Sequence, residues 1–233
     1  MMKRGKRVIE NKKLVDKTKR YSIDEAIDIL KNSKKAKFDE TVELAILLGV
    51  DPKKSDQMVR GATTLPHGTG KKVKVLVFAN GDKAKEAVEA GADYVGEDDL
   101  IEKISNGFMD FDLVISTPDL MKKIGKLGKI LGVKGLMPNP KVGTVTNDIS
   151  KVVTEAKKGR VQYKIDKNAN IHTIVGKISF NKEQLKENII HLLTEIKRAK
   201  PQSAKGTYFK SVTLSTTMGV GVPLDTGEIN SIK

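Results

Sequence analysis

Residues 209–221 read FKSVTLSTTMGVG, and their alternation sorts side chains onto two faces. Ser211, Thr213, Ser215 and Thr217 fall on one face and Val212, Leu214, Thr216 and Met218 on the other, predicting a half-buried strand with a row of hydroxyls. A strand over residues 41–48 alternates in the same way, setting Thr41 and Glu43 against Val42 and Leu44. Further strands are predicted at 58–65, 161–166 and 171–180. Helices are expected after Ser22 and after Asn181, because Glu25 and Gln184 stand three residues on, where a capping box needs them.

Between these flanks the rhythm changes. An apolar strand, VKVLVFA, follows Lys72; a helical stretch over 82–90 ends at Gly91, and a short strand occupies 93–96. A second helix, 98–106, closes at Gly107, the strand DLVIS spans 112–116, and Thr117 with Pro118 opens a third helix. A last helix is expected from Asn147, as N-cap, to Lys158, with Gly159 just beyond its end. This βαβαβα order predicts a parallel sheet with helices on both faces. Neither flank has enough elements to bury a sheet alone. The expected fold is therefore α/β: a discontinuous α+β domain over residues 1–67 and 160–233, interrupted by a Rossmann-like three-layer insert over 68–159. The crossings at 66–70 and 158–160 suggest a hinge.

The charge balance points to a polyanion. The 43 basic residues outweigh 29 acids, a net charge of +14, and residues 1–20 alone hold nine basic against two acidic side chains. The insert is net +2, so most of the excess lies on the flanks. Within it, residues 86–119 carry ten acids against Lys103, whereas 120–141 carry six lysines and no acid. The absence of cysteine excludes disulfides, thiol catalysis, zinc knuckles and iron–sulfur ligation. The longest apolar run, residues 44–50, is far short of the roughly 18 residues of a membrane span, and the basic start lacks an apolar signal-peptide core. A cytoplasmic protein is the default expectation.

Catalytic patterns are weak. The first strand-to-helix turn of the insert, Asn80–Gly81–Asp82, lacks the GxGxxG spacing that cradles a pyrophosphate. HGTGKK fails as a P-loop, since Lys72 stands where Ser or Thr is needed and a strand follows. His67, His172 and His191 lie in separate elements without metal spacing, so no catalytic site, metal or cofactor is expected.

Binding chemistry is better represented. Hydroxyls donate to and accept from phosphates and 2′-OH groups, although a row of them also suits a merely wet strand face. Phe38 follows Lys34, Lys35 and Lys37, and an aromatic beside cations packs on a ribose or splayed base unless it is a core residue. The stretch 132–145, GVKGLMPNPKVGTV, is stiffened by Pro138 and Pro140 and offers Lys134, Asn139 and Lys141, either to phosphates or simply as a turn covering the sheet edge.

Three long segments, KFDETVELAI, GLMPNPKVGTV and KGTYFKSVTLSTTMGVGV, lie in order across nearly the whole chain, which resembles the L-one family of large-subunit ribosomal proteins. The resemblance implies a cytoplasmic, ribosome-bound protein, monomeric when free, without cofactor. Its partners would be large-subunit rRNA and exit-site tRNA, on the mobile stalk where deacylated tRNA leaves, together with its own messenger RNA, which it would repress. It further implies RNA contacts at Lys37, Phe38, Thr41 and Glu43, and at Ser211, Thr213, Ser215, Thr217, Met218 and Gly219, with Lys167 nearby and Lys141 as a secondary contact, to which the reading of its loop adds Lys134 and Asn139. A general RNA chaperone, a nucleotide-dependent enzyme and a DNA-binding regulator are the alternatives.

Overall fold

The computed structural model describes residues 5–16 and 18–231. The chain begins with α1 (Lys6–Lys13), α2 (Ile23–Asn32), β1 (Thr41–Leu48) and β2 (Arg60–Thr64). There follow β3 (Val75–Phe78), α3 (Gly81–Glu89), β4 (Tyr94–Gly96), α4 (Asp98–Ser105), β5 (Leu113–Ser116), α5 (Met121–Ile124), α6 (Gly128–Leu131) and α7 (Ile149–Lys157). The chain then runs through β6 (Arg160–Lys164), β7 (Asn170–Lys177), α8 (Lys182–Arg198), β8 (Phe209–Thr216), β9 (Val222–Pro223) and α9 (Thr226–Ser231). This mixed α/β chain divides into two compact units, Met1–Gly70 with Val161–Lys233, and Lys71–Arg160.

In the split unit, β7, β1, β8 and β9 form an antiparallel sheet in that order. Alternation along the strands sends Val42, Leu44, Ile46 and Leu48, with Ile171, Val175, Val212 and Leu214, into one core. Helix α2 meets them with Ala26, Ile27 and Leu30, and α8 with Leu185, Ile189, Leu192, Leu193 and Ile196. Each fully buried aliphatic side chain contributes about 1.5–3 kcal/mol, so this single apolar face holds the layers together. The helices start where their caps allow: Ser22 and Glu25 form the reciprocal capping box of α2, and the Asn181 N–H donates to Gln184 Oε1 at the start of α8. The short pair β2 and β6 adds Val161 and Tyr163 to the same core. Where β7 bends past α8, Gly176 takes φ 155°, and a Cβ there would press on Phe180 and Leu185.

The other unit is a three-stranded parallel sheet, ordered β4, β3, β5. All four residues of β3 are buried because both faces are covered. Helix α4 and the 121–131 segment pack on one face, α3 and α7 on the other. Two expectations need correction. The third helix of this unit is broken into α5, a tight 3-10 turn at Gly125–Leu127 and α6, since Gly125 and Gly128 each cost a continuous helix about 1 kcal/mol relative to Ala. Helix α7 starts one residue later than expected, with Asp148 as N-cap, because the Asn147 side chain accepts a hydrogen bond from Lys83 instead.

Candidate nucleic-acid interface

The helices of the split unit cover one face of its sheet; the other face is a polar platform centred on β1. Pairing registers put Ile174, Glu43 and Ser215 in one outward row, His172, Ala45 and Thr213 in the next, and Asn170, Leu47 and Ser211 in the third. With strands about 4.8 Å apart, the three strands span about 10 Å, and the small Ala45 makes the centre of the face its lowest point. Along β8 the outward Ser211, Thr213 and Ser215 are half-buried while Val212, Leu214 and Thr216 are buried, as the alternation requires. Thr41 and Glu43 occupy the outward positions of β1 beside them.

At one end of this platform two large apolar side chains stand in solvent, Phe38 at 54% and Met218 at 52% exposure. Phe38 is thus not a core residue. Lys37, next to it, is exposed and makes no ion pair among the described residues. The sequence pattern assigns Met218 to the buried face, but β8 stops at Thr216 and the chain turns, with the Gly219 N–H donating to the Thr216 carbonyl at 3.0 Å. A Cβ at Gly219 would collide with Thr216 Oγ1, so this turn accepts only glycine without rearrangement.

Thr217 is exposed at the same end, yet its hydroxyl is already engaged. It accepts from the Thr41 N–H at 2.9 Å and donates to the Thr41 carbonyl at 3.3 Å, closing the end of the β1–β8 pair. Any ligand at the Thr217 hydroxyl would therefore share it with the strand end. By contrast, the Thr213 hydroxyl makes no intramolecular hydrogen bond among the described residues.

One residue that organises this end carries no signal in the sequence. Glu40, 2% exposed, accepts from the Ala36 N–H at 2.6 Å and the Thr216 hydroxyl at 2.7 Å, from the Met218 N–H at 3.0 Å, and from Arg7 at 3.3 Å. Burial works against its charge, but these donors outweigh it and hold the carboxyl below the ordinary carboxylate range. The segment before Phe38 and the turn at Met218 are thus fastened to the same carboxylate.

Strand β7 also supplies residues that sequence reasoning did not assign: Asn170, His172 and Ile174, the last 38% exposed. Lys167 is exposed in the turn before β7, where Asp166 accepts from the N–H groups of Asn168 and Asn170. It therefore lies by the Asn170 row, at the end of the platform away from Phe38 and Met218. Lys134 and Asn139 belong to the other unit. Lys134 is exposed after α6, while Asn139 anchors a turn in which its N–H donates to Thr144 Oγ1 at 2.8 Å and its carbonyl accepts from the Thr144 N–H at 3.2 Å. The Lys141 side chain lies outside the described residues.

Among the described residues no group of His, Cys, Asp or Glu could hold a metal ion, and no helix is long and apolar enough to cross a membrane.

Fold and surface together define a two-unit α/β protein in which a split α+β unit presents a hydroxyl-lined sheet face with exposed apolar side chains at one end. Comparison with known proteins sharpens this class. The sequence profile of the ribosomal protein L1p/L10e family matches residues 30–220. The chain is also 54% identical over 231 residues to the large ribosomal subunit protein uL1 of Acidothermus cellulolyticus, covering 99% of this chain and 97% of that one. This chain belongs to the ribosomal protein L1p/L10e family.

Proposed function

We propose that this protein is a structural component of the large ribosomal subunit that binds rRNA through the outward face of β7, β1 and β8. The observation that carries this reading is the platform itself: three rows of outward residues with Ser211, Thr213 and Ser215 along one side, ended by Phe38, Met218 and the adjoining Lys37. Hydroxyls and the Glu43 carboxylate satisfy 2′-OH groups, Phe38 and Met218 pack on riboses or unstacked bases, and Lys37 neutralises phosphate. The excess of basic residues on the flanks over the insert, which is net +2 against +14 for the chain, supports the split unit as the main source of affinity.

The finer reading rests on the resemblance to the family. On the ribosome, in the cytoplasm, the protein assists the departure of deacylated tRNA from the exit site, and free in solution, as a monomer, it represses its own messenger RNA by recognising a similar structure. In the insert, Lys134, Asn139 and Lys141 form a weaker secondary contact. Cross-linking in cells followed by sequencing of the attached RNA tests all three partners together: one region of large-subunit rRNA, tRNA and the leader of its own messenger are the expected products. Broad recovery of unrelated single strands would instead favour a general RNA chaperone. Competition with DNA of the same sequence provides the chemical control, since a surface that reads 2′-OH groups discriminates against it.

A further inference from the structure

The turn that exposes Met218 is held from both sides by one ion pair. Arg7, on α1, acts as a fork: Nη1 donates to Glu40 Oε1 and Nη2 to the Met218 carbonyl, both at 3.3 Å. The Met218 N–H donates to Glu40 Oε2 at 3.0 Å, so both polar groups of this residue's backbone are fixed by the Arg7 and Glu40 pair. The same carboxylate oxygen that receives Arg7 also receives the Ala36 N–H, two residues before Phe38. Helix α1 is itself fastened to this region. Asn11, 1% exposed, donates to the Lys34 carbonyl and accepts from the Lys34 N–H, each at 2.9 Å, and Glu10 pairs with the Lys34 ammonium.

Resting on the reading of this face as the RNA site, we infer that Arg7 and Glu40 are positioning residues for RNA recognition, and that α1 is a working part of the site rather than a solvated basic tail. Phe38 and Met218 expose large apolar surface from connections outside the strands and helices. Without the ion pair, RNA binding would have to order both segments, and that ordering subtracts directly from affinity. Arg7 directs its guanidinium inward to a carboxylate and a carbonyl, so it contributes geometry and not phosphate neutralisation. Lysine does not reproduce it, because its compact ammonium lacks the planar fork whose separate Nη1 and Nη2 each meet one acceptor.

The test uses the full-length protein and transcribed large-subunit rRNA, with Arg7→Ala, Arg7→Lys and, as a phosphate-contact control, Lys37→Ala. Affinity is measured across a range of KCl concentrations, and each variant's melting temperature is recorded. Both Arg7 variants are expected to bind about tenfold more weakly while keeping the wild-type slope of log K against log salt, whereas Lys37→Ala lowers that slope by about one unit. Arg7→Lys keeps a cation near Glu40 and preserves folding, so the affinity comparison stands even where Arg7→Ala unfolds. Wild-type affinity in Arg7→Lys would overturn the inference. So would a slope lowered by about one unit in Arg7→Ala and restored in Arg7→Lys, because that is the signature of a phosphate contact. Failure of the wild-type protein to prefer rRNA over DNA of the same sequence would remove the underlying reading as well, and is distinguished from the other results by involving no variant.

Discussion

Replacing Thr217 or Thr213 by Val removes one hydroxyl from the same strand end or strand face, yet the two changes have different consequences for stability. Valine keeps the branched shape and the preference for extended backbone, so the perturbation is close to the loss of one oxygen. At Thr217 that oxygen accepts from the Thr41 N–H at 2.9 Å, and its loss leaves this donor to water at the sheet end. The Thr41 carbonyl is not orphaned, because the Thr217 N–H still reaches it at 3.0 Å. Of the two hydrogen bonds lost, only the one from the Thr41 N–H leaves a group without its partner, so about 0.5–1.5 kcal/mol is at stake. The Thr213 hydroxyl has no such partner among the described residues, so Thr213→Val is expected to change stability by less than about 0.5 kcal/mol. Both variants lose a hydroxyl of the proposed RNA-binding face, for which a Kd about three- to tenfold higher is expected. Neither removes a charge, so the salt slope is unchanged. Urea unfolding followed by circular dichroism and filter binding at several KCl concentrations measure these quantities. Equal destabilisation by the two variants would refute the hydrogen-bond reasoning, and wild-type affinity in Thr213→Val would remove that residue from the contact surface.

Three further outcomes are expected. Ala45→Trp fills the lowest point of the platform between His172 and Thr213 and should weaken rRNA binding at least about tenfold, with a small change in melting temperature; unaltered affinity in a titration would place the RNA elsewhere. Gly219→Ala drives a Cβ into Thr216 Oγ1 and disturbs its bond to Glu40, so denaturant unfolding should show a loss of about 1–3 kcal/mol. Acid stability tests the carboxylates. Glu40, Asp93 and Asp112 resist the effect of burial through hydrogen bonds and nearby cations, and all three sit below their ordinary values. A group whose folded pKa is depressed contributes stability above its unfolded pKa, about 4 for a carboxyl, and loses it as pH falls through the folded value. Melting temperature should accordingly drop steeply below about pH 4, and Glu40→Gln should make that part of the profile shallower; an unchanged profile would mean that Glu40 is not ionised in the folded protein.

Much of this architecture is legible because it is local and periodic. The hydroxyls of β8 and the outward Thr41 and Glu43 of β1 follow from a period of two, and Gly91, Gly107 and Gly159, at φ 89°, 99° and 99°, mark the helix ends of the insert. What the sequence hides is set by contacts remote along the chain. Alternation continued past Thr216 buries Met218, but the strand ends there, because Thr41 closes the pair through Thr217. Glu40 looks like one acid in a charged segment; its partners Arg7 and Met218 lie 33 and 178 residues away. Ile174 conceals the outward face of β7, since an exposed isoleucine in an apolar run reads as core.

The most direct test of the central claim is to map, on the intact protein, which backbone amides respond when transcribed large-subunit rRNA is titrated in, by NMR or by hydrogen exchange. The account expects changes confined largely to residues 37–47, 170–177 and 211–219, which share the platform. Responses concentrated instead on α2 and α8, the helices that cover the opposite face of the sheet, with the platform silent, would contradict it.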